Sequence, residues 1–80
     1  MKSIETRYIG PTNHRGARIK ATDGDNSIIT SYPYELSGEA VHAQAALALA
    51  RKLNWKGTLI GGGTKKGYVF VFSDGERYQV

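Results

Sequence analysis

One segment in the middle of the chain has a different hydrophobic period from everything around it, and this contrast constrains the fold most. In residues 40–53 (AVHAQAALALARKL) apolar side chains recur at helical spacing, whereas the flanking segments alternate at the spacing of β-strands. The predicted apolar stripe consists of Val41, Ala45, Ala46, Leu49 and Leu53. Because a helix with such a stripe has to bury it, the sequence predicts one helix that packs on a sheet.

Residues at both ends of this segment are typical of helix boundaries. Ser37 is predicted to be the N-cap, and Glu39 suits the positive end of the helix dipole in the first turn. At the other end, Asn54 or Gly57 can adopt the left-handed conformation that closes a helix. The sequence therefore predicts a single long helix with defined ends.

Five segments are predicted to be strands, three before the helix and two after it. They are residues 3–9, 17–22, 27–34, 58–60 and 68–72. Pro33 cannot donate to a ladder, so the third strand ends there or lies at a sheet edge. Residues 76–80 are either a further short edge strand or an extended tail.

This order of elements predicts an α+β fold with two layers. We expect a five-stranded, mainly antiparallel sheet (β-β-β-α-β-β) with one long helix on one face, and a single domain over residues 1–80, because 80 residues cannot form two cores. One helix cannot cover both faces, so the other face is open to solvent or to a partner.

Composition and charge restrict the function. The chain contains no cysteine, which excludes disulfides, thiolate catalysis and cysteine-based zinc sites. No apolar run approaches the ~20 residues that span a bilayer, and no secretory signal is visible near the start, so we expect a cytoplasmic protein without membrane contact. The net charge of +4 either keeps the protein soluble or attracts an acidic partner such as nucleic acid.

The polar residues do not form the pattern of an enzyme. The carboxylates fall mainly at turns or helix caps, and no pair of them is arranged for acid–base chemistry. His42 lies within the apolar helical stripe and is predicted to be a packing residue, while His14 lies in a turn without a second ligand nearby. We therefore expect a non-enzymatic protein that needs neither a metal nor another cofactor.

The first predicted hairpin carries most of the informative residues. Its turn, residues 10–16 (GPTNHRG), is rich in turn-forming types, and Gly16 can supply a positive φ. Arg7, Arg15, Arg18 and Lys20 are the cations of this hairpin, and across the strands Arg7 is expected near Arg18 or Lys20. Two interpretations follow: a solvated strand face above a polar turn, or a basic finger that contacts phosphates or an acidic protein surface.

A glycine-rich segment with two lysines also has two interpretations. Residues 61–67 (GGGTKKG) lie between strands and lack the hydroxyl residue after the lysine that a P-loop requires. The segment is either a mobile hairpin loop or a loop whose backbone amides, with Lys65 and Lys66, contact an anion.

The aromatic residues form two groups. Tyr68, Phe70 and Phe72 share one face of the last strand, where they form either part of the core or a stacking platform for bases. The side chains of a second group carry a hydroxyl or an indole N–H and are predicted to contact partners at the surface: Tyr32, Tyr34 and Trp55.

The run TRYIGPTNHRGARIKAT, residues 6–22, resembles a motif near the start of small proteins carried by bacteriophages, prophages and plasmids. In that group the hairpin precedes an alanine-rich helix with a trailing tryptophan, and Leu53, Asn54 and Trp55 fit that pattern here. The resemblance implies mobile-element ancestry and a place in a bacterial host cell. It also implies an accessory role, such as nucleic-acid handling or interference with host defence.

Two hypotheses of function follow. In the first, a small phage or plasmid accessory protein binds nucleic acid through phosphates, using Arg7, Arg15, Arg18, Lys20, Lys65 and Lys66. In the second, the chain inhibits a host-defence complex, as anti-CRISPR or anti-restriction proteins do, by binding an acidic protein surface. A homodimer that uses the open face of the sheet is a further expectation.

Overall fold

The computed structural model describes residues 2–74, 78 and 79 and has the predicted α+β architecture. The elements are β1 (Ser3–Ile9), β2 (Arg18–Thr22), β3 (Ser27–Ser31), α1 (Glu39–Lys52), β4 (Leu59–Gly63) and β5 (Gly67–Phe72). All neighbouring strands are antiparallel and form one five-stranded sheet in the order β3-β2-β1-β5-β4. The possible strand or tail at 76–80 lies largely outside the described residues.

The strand order gives the sheet two distinct ends. Strands β1, β3 and β4 finish at one end, where β2 and β5 begin; we call it the hairpin end, and it comprises segments 10–17, 32–34 and 64–66. The opposite end comprises segments 23–26, 53–58 and 73–74. The helix begins at the hairpin end and connects the edge strand β3 to the other edge strand, β4.

The helix packs on one face of the sheet and leaves the other face open. Its apolar stripe is buried as predicted at Val41, Ala45, Ala46 and Leu49, with Leu53 half-buried at its end. The sheet supplies Ile4, Ile19, Ala21 and Phe70 to the same core. The residues of opposite parity define the open face, and they include the cations Arg7, Arg18 and Lys20.

The structure confirms the predicted C-terminal end of α1 but not its predicted N-cap. Asn54 has a φ of 59°, and the N–H groups of Asn54 and Trp55 donate to the carbonyls of Arg51 and Ala50, which is the predicted left-handed closure. The prediction that Ser37 is the N-cap is wrong. Gly38 occupies that position with a φ of 62° and no side-chain cap, because the preceding turn, closed by the Leu36 N–H on the Pro33 carbonyl, moves the start of the helix by one residue.

Residues 61–63 do not belong to a loop, as both interpretations expected, but form the second half of β4, so the strand prediction of residues 58–60 ended too early. Gly61 pairs with Phe70 and Gly63 with Tyr68. A Cβ on Gly61 would meet the Phe70 ring, with 2.8 Å to its Cδ1 atom, so glycine here leaves room for a core aromatic side chain. The connection to β5 is consequently a short turn in which the Thr64 N–H donates to the Gly67 carbonyl at 2.7 Å.

The aromatic face of β5 belongs mainly to the core. Phe70 is buried in the cluster beneath α1, Phe72 is buried beside Trp55, and Tyr68 is half-buried against the cluster and also lines a concavity of the open face. Two of the strand predictions were too long at one end: β2 begins at Arg18, and β3 ends at Ser31, before Pro33. The prediction for β5 was one residue too short, because this strand begins at Gly67. In the described part of the chain, α1 is too short and too polar to cross a membrane.

Candidate functional site

The register of β1 and β2 brings the predicted cations together on the open face. Arg7 lies directly opposite Lys20, and Arg18 follows two residues away along β2, opposite Ile9. On the other side of β1, Arg7 faces Gly67, which has no side chain to fill the adjacent space. Like charges directly opposite each other weaken a sheet, so this arrangement costs some stability that an anionic ligand would restore.

A concavity of about 510 Å³ lies beside this row of cations. Arg7 and Lys20 line it from the sheet, and Lys65 and Lys66 line it from the β4–β5 turn. One carboxylate, that of Glu5, lines it as well. Four cations against one carboxylate give the concavity a net positive potential.

Side-chain hydroxyl groups fix the backbone that carries the loop cations. In the first hairpin the Thr12 hydroxyl accepts from the Arg15 N–H at 3.1 Å, and the Thr12 N–H donates to the Arg15 carbonyl at 2.7 Å. In the β4–β5 turn the Thr64 hydroxyl accepts from the N–H groups of Lys66 and Gly67. The predicted positive φ at Gly16 is not observed, because Thr12 closes the turn instead.

A second concavity, of about 500 Å³, lies at the hairpin end between β2 and β3. Arg15 and Arg18 line it together with Tyr32 and Tyr34. The rings of Tyr32 and Tyr34 have centroids 4.9 Å apart. Two predicted cations and two predicted aromatic contacts therefore share one surface, next to Lys20, which lies on the same strand as Arg18.

Trp55, by contrast, lies at the opposite end of the sheet. Its ring packs edge-to-face on Phe72 at a centroid distance of 6.1 Å, and Lys2 Nζ lies 4.7 Å from the ring centroid. The same end carries the acidic turn at Asp23, whose pKa is lowered mainly because its carboxylate accepts the Asn26 N–H. Trp55 therefore contributes to neither concavity.

His42 is a packing residue, as predicted, and it also has a polar partner. A hydrogen bond of 2.8 Å joins its Nδ1 to the hydroxyl of buried Thr6, and its ring lies on that of Tyr68 at 4.6 Å between centroids. Burial lowers the pKa of His42 below the ordinary value of 6.5.

We expect the folded state to lose stability as the pH falls below 6.5, because the unfolded chain then binds a proton that folded His42 accepts less readily. Urea unfolding about one pH unit above and below 6.5 measures the loss. The free energy of unfolding should depend less on pH in the variant His42→Gln than in the wild type. The control variant His14→Gln, at an exposed turn residue, should lose as much stability as the wild type over the same pH range. Equal pH sensitivity in His42→Gln and the wild type would contradict this prediction.

Sequence reasoning identified the cations of this site but missed the residues that arrange them. Thr12 and Thr64 were predicted only as turn residues, although a threonine at the start of a turn often accepts from backbone N–H groups two or three residues later. Within the described residues, no three His, Asp or Glu side chains come together as a metal site.

Comparisons of the chain with protein-family models, with curated proteins and with solved structures find no match.

Proposed function

We propose that this protein is a non-enzymatic nucleic-acid-binding module that contacts phosphates through the open face and the hairpin end of its sheet. The single observation that carries the proposal is the convergence of six cations on two adjoining concavities. They are Arg7, Arg15, Arg18, Lys20, Lys65 and Lys66. The accessory role in a phage or plasmid rests on the resemblance of the first hairpin.

The distribution of charge supports a polyanion as the partner. Six of the eleven lysines and arginines lie around the two concavities, and Glu5 is the one carboxylate among the described residues that line them. Such a concentration of positive charge attracts a polyanion before contact. Arg7 and Lys20 lie on strands rather than on loops, so the pairing of β1 with β2 fixes the spacing of their Cα atoms before binding.

Binding should weaken steeply with salt. If all six cations contact phosphates of a single strand, the logarithm of the association constant should fall with the logarithm of salt concentration with a slope of about −4. Fluorescence anisotropy of labelled single-stranded and double-stranded oligonucleotides at several salt concentrations measures this slope. Absence of binding to both forms at low salt would overturn the proposal.

A second candidate function is inhibition of a host-defence complex by protein–protein binding. Exposed apolar side chains on the two edge strands favour it: Ile29 on β3 is 51% exposed, and Ile60 on β4 is 55% exposed. Its test is an activity assay of a purified CRISPR or restriction complex with the protein added. Inhibition that is lost in the variant Ile29→Ser/Ile60→Ser supports this function, and unchanged activity of the complex counts against it.

A further inference from the structure

We propose that the second concavity is a base-stacking subsite, so that the preferred ligand is single-stranded nucleic acid with an unpaired base on Tyr34. This inference rests on the proposed function and specifies its substrate. A base inside a duplex is already stacked on its neighbours and cannot lie on a side chain, whereas an unpaired base can.

The exposure and support of the Tyr34 ring carry the inference. Tyr34 is 76% exposed, although an aromatic side chain usually gains stability by burial. Behind it lies the half-buried Tyr32 ring, with a tilt of 48° between the two planes. Tyr8 meets Tyr32 edge-on at 5.7 Å, so the three rings form one cluster in which Tyr34 is the most exposed ring. Tyr32 packs against the core and supports the Tyr34 ring from behind.

Two cations share the concavity with the tyrosines and are available to the phosphate of a nucleotide bound there. Arg15 and Arg18 line the same concavity as Tyr32 and Tyr34. The Nε of Arg18 is buried and has no hydrogen-bond partner within the part of the chain that the structure describes. Reorientation of the Arg18 side chain toward a phosphate would therefore break no hydrogen bond at Nε and would gain charge-assisted ones.

The row of cations defines a path over the sheet for the bound nucleic-acid strand. From the second concavity the open face leads through Lys20 on β2 and Arg7 on β1 to Lys65 and Lys66 beyond β5. This path crosses the strands of the sheet at nearly right angles, with ~4.8 Å between neighbouring strands. The backbone of one single strand can follow it while a base is held at Tyr34.

The test compares ring-removing and ring-preserving variants of Tyr34. At fixed low salt, Tyr34→Ala should bind an oligothymidylate or oligouridylate of about 12 nucleotides roughly tenfold more weakly than the wild type, whereas Tyr34→Phe should keep most of the affinity. Tyr78→Ala removes another strongly exposed tyrosine, 87% exposed, and should leave the affinity unchanged. Because both tyrosines are exposed, we expect neither alanine variant to unfold the protein.

A spectroscopic arm detects the stacking itself. In the variant Tyr34→Trp, the bound oligonucleotide should quench the fluorescence of the new tryptophan. In the wild type, the fluorescence of Trp55 should not change, because Trp55 lies at the opposite end of the sheet.

The outcomes separate this inference from the proposed function. A loss in Tyr34→Ala that is confined to single strands, with duplex binding unchanged, supports the subsite. Single-strand affinity equal to that of the wild type overturns the subsite and leaves phosphate binding intact. Failure of the wild type to bind either form overturns both.

Discussion

Removal of the three cations on the open face should weaken nucleic-acid binding roughly 10- to 100-fold at low salt, equivalent to ~1.4–2.7 kcal/mol. The variant is Arg7→Gln/Arg18→Gln/Lys20→Gln, and each change deletes one cation that the β1–β2 register positions. Its salt dependence should be shallower as well, by about 2 in the log–log slope for a single strand, because three fewer counterions are released. Anisotropy titrations of the variant and the wild type measure both effects.

A control with the same change in net charge separates site-specific from general attraction. The variant Arg51→Gln/Lys52→Gln/Lys56→Gln also removes three positive charges from a chain of net charge +4, but from exposed positions at the end of α1 and just beyond it. We expect it to keep most of the affinity of the wild type. Equal losses in the two triple variants would mean that net charge, and not the open face, determines binding.

Replacement of Gly67 by alanine should destabilise the fold by about 3 kcal/mol or more, a large part of the ~5–15 kcal/mol that stabilises a typical domain. A Cβ at this position would overlap the Thr6 carbonyl oxygen and would lie 3.1 Å from the Arg7 Cα. These are backbone atoms of the central strand β1, so they cannot turn aside as a side chain would. Urea unfolding followed by circular dichroism measures the difference.

Alanine substitutions at two other glycines of the β4–β5 hairpin provide reference values for this loss of stability. A Cβ on Gly62 meets nothing within 4 Å, so Gly62→Ala should change the free energy of unfolding by no more than ~0.5 kcal/mol. Gly61→Ala should give an intermediate loss, because its Cβ would meet the Phe70 ring, which can shift. If Gly67→Ala proved as stable as Gly62→Ala, the close approach of β5 to β1 would be wrong.

Much of the candidate site could be predicted because it depends on the period of a strand. Alternation assigns Arg7, Arg18 and Lys20 to the face away from the buried Ile4, Ile19 and Ala21, and a hairpin makes two such faces coincide. The role of Lys65 and Lys66 could not be predicted in this way. They join the site only because β5 pairs with β1, a contact between segments more than fifty residues apart in the sequence.

The glycines of β4 show a second limit of local patterns. Three consecutive glycines favour a loop by propensity, yet here they extend a strand, because all three pair with β5 and because at Gly61 the Phe70 ring occupies the space that a side chain would take. The start of the helix differs for a similar reason, since the turn that places Leu36 against the core moves the N-cap from Ser37 to Gly38.

The sequence by itself determined the number, type and order of the elements, the buried face of the helix and the basic character of the first hairpin, because these follow from hydrophobic period and local backbone preference. Tertiary structure alone decided the strand order β3-β2-β1-β5-β4, the distance of Trp55 from the six cations of the candidate site and the meeting of Arg15 and Arg18 with Tyr32 and Tyr34. The physical reason is that pairing between distant strands depends on how well their side chains pack together beneath the helix, a property of the whole chain that no local segment encodes.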